Sequence, residues 1–398
     1  EAKPSKKRIC ALKIFYLFFA YYLQFSLLSS FIHKITIKHL IHLNTYVIGS
    51  YMEHRLGEKQ IKRTAIVLRS EQVMFSCVMG CAVRLPAEHS IHSDHFNFEY
   101  GTATITCQIK STCLTPTHVA ITASGVSESV TSFQPIRNRD APTTFQYNFT
   151  ICISAMFDYK SVLNLVQSME MFRLLGAQRV VIYKTNCDSN TQKVLDYYEK
   201  IGFVEIIPWT IKKHINVSHG WEINKSPGQL HYFGQIPALN DCVYRYMYQS
   251  RYVALHDMDE LILPIKVKTW TELLLQLEDM YRPAAHLNYE QDKWKNIQGV
   301  NILNYINRVP NPPNYFSNFK IVVNPRLVLK ATVHGLLDSV NGKPLVWVSN
   351  SIARMYHFKH FTYPPNTKLV RDDHLWDYAN DLIPAVSKVL QASGLIEA

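Results

Sequence analysis

The sequence predicts an α/β protein: a mostly parallel sheet, preceded by a small all-β module and an N-terminal transmembrane anchor. Three observations lead to this prediction. Apolar strand-like runs alternate with amphipathic helical segments between residues 149 and 257, an order typical of parallel sheets covered by helices. Short β-branched runs separated by turn residues fill positions 64–140, as in small all-β units. An apolar run without charge covers residues 14–32.

The N-terminal apolar run is interpreted as a signal anchor. Residues 14–32, at about 1.5 Å per residue, are just long enough to cross a thin bilayer. Most of the flanking basic residues precede the run, so residues 1–13 are expected in the cytosol and the remainder in a lumen. Residues 33–63 are predicted to form a stem. Three Asn-X-Ser/Thr triplets fit a luminal location, and they begin at Asn148, Asn216 and Asn224.

Residues 64–142 are predicted to form the small all-β module, because their apolar runs are short, rich in β-branched residues and partly alternating. Its role stays open between a spacer and an accessory surface that binds sugars. Four of the eight cysteines lie between positions 77 and 113 and can pair in three ways. The later three, Cys152, Cys187 and Cys242, leave one odd thiol unless one of them pairs with the earlier group.

The α/β block begins with an apolar strand at 149–156. The next segment, 160–175, is predicted to be helical, because its apolar residues recur at intervals of three and four and Gly176 suits a helix end. A second helix is expected to be capped by Ser189 or Asn190 and to stop at Gly202. The other predicted elements are strands at 179–183 and 203–207, a helix at 235–248 and a strand that begins at Tyr252.

This last strand ends in an acidic cluster. Asp257 and Asp259 are two residues apart, so in extended chain their side chains point the same way. Two carboxylates at the carboxyl end of a strand can hold a divalent cation that bridges the phosphates of a nucleotide. The sequence has no glycine-rich phosphate loop, so a metal is expected to take that role. The D-x-D pattern is typical of nucleotide-sugar transferases.

The net charge of +11 is spread along the chain, with no long basic run and no zinc-finger or recognition-helix pattern. Nucleic-acid binding is therefore not expected, and the charge is interpreted as a basic surface that suits an anionic nucleotide donor.

A series of short segments then carries a family resemblance. They include Cys152-Ile-Ser-Ala-Met-Phe-Asp158, Asp257-Met-Asp-Glu260, Thr332-Val-His-Gly335 and Tyr356-His-Phe358, together with 171–176, 180–184, 208–209, 234–242, 299–303 and 324–326. In this order the segments resemble glycosyltransferase family 92 over residues 147–385, and the resemblance is nearest to the bird- and fish-type vertebrate members.

The resemblance implies a GT-A fold, with a Rossmann-like sheet, in a single-pass type II membrane protein of the Golgi. It further implies UDP-galactose as donor, a manganese ion as cofactor and an inverting transfer that forms a β-1,4 linkage on an N-glycan. Within the family the acceptor sugar is a terminal galactose or a core fucose. The sequence leaves open whether the chain forms a homo-oligomer.

Asp257 and Asp259 are predicted to bind the metal and the donor diphosphate. His357 is the candidate third metal ligand because an imidazole suits manganese, and His334 is its rival.

Asp158 and Tyr183, which follow or end predicted strands, are expected to bind the nucleotide together with Asp257. An inverting transfer also needs a base for the acceptor hydroxyl. Asp338 is the preferred candidate, Glu260 is disfavoured because adjacent strand residues face opposite ways, and Glu290 and Asp292 stay open. Three tryptophans are candidates for stacking on an acceptor sugar: Trp209, Trp221 and Trp294.

Two alternatives are kept. One is a non-enzymatic glycan-binding membrane protein that retains the fold, which the presence of both aspartates disfavours. The other is a retaining transferase, which the same D-x-D pattern would serve and which the anomeric configuration of the product would distinguish.

Overall fold

The structure is a computed structural model, and it describes most of the chain apart from the N-terminal residues and several internal segments. The described residues are 37–40, 43–125, 133–280, 285–290, 300–308, 319–358 and 368–397.

The N-terminal part forms an eight-stranded sheet in which every neighbouring pair is antiparallel. The spatial order is β1-β2-β3-β6-β5-β4-β7-β8. The strands are β1 Lys38–His39, β2 Thr45–Glu53, β3 Gln60–Leu68, β4 Phe75–Met79, β5 Arg84–Ile91, β6 Tyr100–Gln108, β7 His118–Ala123 and β8 Gln134–Pro135.

A second sheet follows, with the order β11-β10-β9-β12-β16-β14-β20-β13 and β19 beside β14. Strands β11, β10, β9 and β12 run parallel, whereas β16 pairs antiparallel with β12 and β13 pairs antiparallel with β20. Its strands are β9 Tyr147–Met156, β10 Arg179–Lys184, β11 Val204–Pro208, β12 Ser250–His256, β13 Glu260–Pro264, β14 Ala285–Glu290, β16 Lys320–Val323, β19 Val346–Trp347 and β20 Ala353–His357. Two ribbons pair β15 Asn307–Arg308 with β21 Val370–Arg371, and β17 Val328–Thr332 with β18 Gly335–Ser339.

The predicted fold class, a mostly parallel Rossmann-like GT-A sheet behind a small all-β module, was wrong. Antiparallel pairings outnumber parallel ones among the described strands. The N-terminal part is itself a large antiparallel sheet of eight strands rather than a small module. The sheet also starts inside the predicted stem, since β1, β2 and the first four residues of β3 lie before residue 64. The error arose because alternation of strands and helices suggests parallel pairing only while the alternation lasts. After β12 the chain adds β13 and β16, which run opposite to β12.

The localisation also needs correction. Within the ranges given above, no helix is long and apolar enough to cross a bilayer. The single transmembrane segment predicted for a Golgi membrane protein is thus not found in the described part of the chain. The predicted anchor at 14–32 and the predicted cytosolic tail at 1–13 lie outside the described residues.

Helices cover both faces of the second sheet. Helices α1, α2 and α5 share one core with β9 and β10, whereas α3 lies between the two sheets and packs on β9, β2 and β3. Adjacent strand residues separate accordingly: Ile66 faces the core shared with α3, and Val67 faces the core on the other side of the first sheet. The helices are α1 Val162–Leu174, α2 Ser189–Lys200, α3 Gln235–Tyr246, α4 Trp270–Met280 and α5 Ala379–Ala392.

The helical periodicity at 160–175 is confirmed, since Leu165, Val166 and Met169 are fully buried in α1. The predicted cap of α2 is one residue late. Asp188, not Ser189 or Asn190, occupies that position, and its carboxylate accepts a hydrogen bond of 2.8 Å from the Thr191 amide.

The cysteine pairing, which the sequence left open, is decided by the fold. Cys77 pairs with Cys107 and Cys81 with Cys113 in the first sheet, while Cys152 of β9 pairs with Cys242 of α3. Cys187 is a free thiol.

Candidate active site

A cleft of about 740 Å³ opens at the carboxyl ends of the parallel strands β9 and β12. Loops at this edge of a sheet are where ligands bind in α/β proteins, because the chain leaves the strands there. Residues 153–157 and 257–260 line the cleft from these two strands. Segment 219–235, His334 and His357 line it from elsewhere in the chain. It is therefore the candidate active site.

Asp257 follows the last residue of β12 and reaches this cleft, with 35% of its side chain exposed. Lys320, the first residue of the neighbouring antiparallel strand β16, places its Nζ atom 2.6 Å from Asp257 Oδ2. Although partial burial opposes ionisation, the Lys320 ammonium holds the pKa of Asp257 below its usual value. Asp257 is therefore an anion at neutral pH. Its Oδ1 atom accepts a longer hydrogen bond of 3.4 Å from Gln235.

Asp259 lies in the turn between β12 and β13, and 36% of its side chain is exposed. His357 places its Nε2 atom 3.0 Å from Asp259 Oδ2. The pairing of β13 with β20 explains this contact, because Glu260 is aligned with His357 and the Phe358 amide donates to the Asp259 carbonyl at 2.8 Å. The structure thus brings Asp257, Asp259 and His357 into one cleft, although 98 residues separate the last two in sequence.

Glu260 was expected to point away from this aspartate pair, but it lines the same cleft. The alternation rule fails here because residues 258 and 259 form a turn rather than extended chain. Burial raises the pKa of Glu260 to about 7, and Lys320, 3.2 Å away, opposes that rise. His334 also lines the cleft, and its Nδ1 atom lies 2.9 Å from the Phe319 carbonyl oxygen.

Asp158, predicted to bind the nucleotide, follows β9 next to cleft residues but is itself exposed. Its backbone is left-handed, with φ of 45°. Asn186 holds it with two hydrogen bonds: its side-chain amide donates to Asp158 Oδ1 at 2.5 Å, and its Oδ1 accepts from the Asp158 amide at 2.9 Å.

Tyr183 and Asp338 lie away from the cleft. Tyr183 is fully buried between the two sheets, and its hydroxyl donates to Asp241 Oδ2 at 2.6 Å, so this geometry does not support contact with a nucleotide. Asp338 is exposed on β18, outside the lining of the cleft, so its position does not support a role as the base. Asp292 and Trp294 lie outside the described residues, as does the side chain of Glu290.

The sequence reasoning missed two residues. Lys320 opens the apolar strand β16 and is almost fully buried. A lysine in such a strand requires a buried carboxylate partner. This requirement could have indicated from the sequence that Lys320 belongs to the acidic site. Phe96, from the loop between β5 and β6, also lines the cleft. No local sequence pattern distinguishes it from other loop aromatics.

The family model of glycosyltransferase family 92 matches residues 147–385, which is more than half of the chain. Two glycosyltransferase family 92 proteins of Caenorhabditis elegans are 27% and 21% identical over 36% and 39% of this chain. A third relative from the same organism, the beta-1,4-galactosyltransferase galt-1, is 25% identical over 56% of this chain.

The matched regions span 28%, 30% and 50% of these three relatives, so the chain spans half of their length or less. All three are nematode proteins, and the predicted likeness to bird- and fish-type members stays a prediction. The match of the family model includes β9, β12, the acidic turn and His357. The chain therefore belongs to glycosyltransferase family 92.

Proposed function

We propose that the protein is an inverting, metal-dependent galactosyltransferase. It moves galactose from UDP-galactose to a hydroxyl of an N-glycan sugar, a terminal galactose or a core fucose, and forms a β-1,4 linkage. The observation that supports this proposal most is the convergence of Asp257, Asp259 and His357 in one cleft at the carboxyl ends of two parallel strands. The relative named beta-1,4-galactosyltransferase supports the choice of galactose and of the linkage.

The oxygen and nitrogen atoms of the protein side chains at this site are suitable ligands for a hard divalent cation such as Mn²⁺. Asp259 Oδ2 and His357 Nε2 lie 3.0 Å apart, and carboxylate oxygens with imidazole are suitable ligands. Within the described ranges, no three His, Cys, Asp or Glu side chains are already arranged around one metal position. We infer that Asp259, His357 and Asp257 hold the ion together with the donor diphosphate, as in other nucleotide sites. When bound, the ion would stabilise charge on the departing UDP.

The chain's own residues prepare this site. The Lys320 ammonium sits 2.6 Å from Asp257 and 3.2 Å from Glu260. It offsets the repulsion among the clustered carboxylates and keeps Asp257 ionised. Although burial opposes its charge, these two carboxylates raise the pKa of Lys320 above its usual value, so Lys320 stays a cation. Lys320 is not among the residues that line the cleft, so its effect on the donor is exerted through Asp257.

The test is an assay of the full chain with UDP-galactose and a desialylated N-glycan, with Mn²⁺ or with EDTA. We expect transfer that requires the metal and that falls by roughly 100-fold or more in Asp259→Asn, since one preorganised charge contact contributes about that factor. Asp140→Asn, an exposed aspartate outside the cleft, serves as the matched control and should retain activity.

Two results would count against the proposal. Transfer that is as fast in EDTA as in Mn²⁺ would exclude the role of the metal. Transfer of another sugar from its UDP donor in place of galactose would exclude galactose as the transferred sugar. Proton NMR of the product decides between the mechanisms, because a β-linked product means inversion and an α-linked product means the retaining alternative.

A further inference from the structure

Two exposed aromatic side chains lie on the wall of the cleft, and they come from different parts of the fold. Phe96 belongs to the first sheet and is 42% exposed, while Trp221 belongs to the second part and is 62% exposed. Exposed aromatic side chains that share a cleft are typical of ligand-binding sites, because a bound ligand removes their apolar surface from water. The carboxylate cluster that would bind the donor uses neither of them.

The loop that carries Phe96 is held firmly against the second part of the fold. The Tyr100 amide donates to the Gln229 carbonyl at 2.9 Å, and the Gln229 side chain donates to Glu99 at 3.1 Å. Arg69 donates to the Phe98 carbonyl at 2.6 Å, and the Phe98 ring is fully buried. The first sheet is thereby joined to segment 219–235, which lines the cleft.

Phe96 adopts a backbone conformation that a phenylalanine rarely accepts. Its φ is 48°, and that of Asn97 is 64°. Left-handed backbone costs a bulky residue roughly 1–3 kcal/mol and persists only where surrounding contacts impose it. Phe96 lines the cleft in this strained conformation. Strained backbone is concentrated at functional sites in proteins.

The imidazole ring of His231 packs against one face of the Phe96 ring. The two rings are stacked, with centroids 4.4 Å apart and planes 17° apart. His231 is only 4% exposed, and neither of its ring nitrogens has a hydrogen-bond partner among the described residues. Burial lowers the pKa of His231 to about 4, so the imidazole is neutral at pH 7. Since His231 covers one face of Phe96, the exposed part of Phe96 faces away from it.

We propose that Phe96 and Trp221 form the acceptor subsite and stack on the apolar faces of sugar rings of the acceptor glycan. A sugar ring presents one face of C–H groups, and a flat aromatic surface buries that face at little conformational cost. The proposal rests on the glycosyl transfer proposed above. It gives the first sheet a part in acceptor binding rather than a role as spacer.

Steady-state kinetics of the full chain test this subsite, with a galactose-terminated N-glycan as the varied substrate. Phe96→Asn removes the ring but tolerates the left-handed backbone, and Trp221→Ala removes the second ring. Each change should raise KM for the glycan by roughly tenfold, the value of one aromatic stacking contact. KM for UDP-galactose should stay unchanged, because the proposed donor site is formed by other side chains. Phe96→Tyr should behave as the wild type.

Trp376→Ala is the matched control, because Trp376 is an exposed tryptophan outside the cleft. An unchanged glycan KM in both Phe96→Asn and Trp221→Ala would overturn the proposal, as would an equal rise in the KM for UDP-galactose. If the wild type transfers no galactose, the proposed function fails but the subsite is still decided by calorimetric titration of the same glycan. Binding that both variants lose supports the subsite, and binding that they retain refutes it.

Discussion

Replacing Asp241 with asparagine is expected to destabilise both large sheets together, because its carboxylate lies between them. Asp241 is on α3 and is completely buried. Its oxygens accept hydrogen bonds from Tyr51 of β2 at 2.5 Å, from Tyr183 of β10 at 2.6 Å and from Arg245 at 2.7 and 3.1 Å. Gly49 of β2 is required beside it, since an added Cβ would clash with the carboxylate and with Tyr51.

The magnitude follows from the charge that the change leaves behind. Although burial favours the neutral acid, Arg245 and the two tyrosine hydroxyls hold the pKa of Asp241 below its usual value. Asp241→Asn therefore leaves the Arg245 guanidinium buried without its counter-ion. Removal of one partner of a buried ion pair costs about 3–5 kcal/mol. The milder Tyr183→Phe removes one hydrogen bond to a charged acceptor and should cost roughly 1.5–3 kcal/mol.

Urea unfolding measured by far-UV circular dichroism and by tryptophan fluorescence would test this prediction. Both signals should move together to lower urea in Asp241→Asn, because the two sheets share the core around α3. Asp140→Asn changes an exposed carboxylate in the same way and should stay within about 0.5 kcal/mol of the wild type. A loss below about 1 kcal/mol in Asp241→Asn, or a separate transition for each sheet, would refute the reasoning.

Two further predictions concern stability. Burial lowers the pKa of His92 to about 3 and that of His231 to about 4, below the unfolded value of about 6.5. The unfolded state therefore binds more protons, and each histidine should remove about 2 kcal/mol of stability as the pH falls from 8 to 5. Glu260, with its pKa raised to about 7, adds stability over the same range, so the contribution of His92 is measured by comparison. Urea unfolding at both pH values should show a pH dependence of stability that is about 2 kcal/mol smaller in His92→Asn than in the wild type, and an equal dependence in both would contradict the prediction. Replacing Cys152 and Cys242 by alanine opens a loop with a sequence separation of 90 residues and should cost about 4 kcal/mol, measured by the same method against Cys187→Ala.

Much of the local structure could be predicted from the sequence. The strands β9, β10, β11 and β12 and the helices between them lie within a residue or two of the predicted positions, because hydrophobic periodicity reports directly which side of an element is buried. The pairing direction of the later strands could not be predicted. It depends on which strands lie side by side, and β16, β14 and β20 are joined to their neighbours by long-range contacts only.

The candidate site divides in the same way. Asp257 and Asp259 are adjacent to a buried strand, so spacing and composition sufficed to select them. His357 was selected because an imidazole suits manganese and because its segment carries the family resemblance, and its place beside Asp259 is decided by the pairing of β13 with β20. Tyr183 could not be assigned from the sequence, because a tyrosine at a strand end can contact either a ligand or a buried carboxylate. In the structure its hydroxyl donates to the buried Asp241 carboxylate.

By itself, the sequence determined the family, the acidic turn and the elements that surround it, since each of these is written in short segments of the chain. The tertiary structure alone decided that Lys320 lies against Asp257, that Glu260 turns into the cleft and that Phe96 of the first sheet reaches it. The physical reason is that these contacts join residues tens to hundreds of positions apart. Such contacts form only when β16 pairs with β12 and when the two sheets pack around one helix, because these arrangements decide which side chains meet.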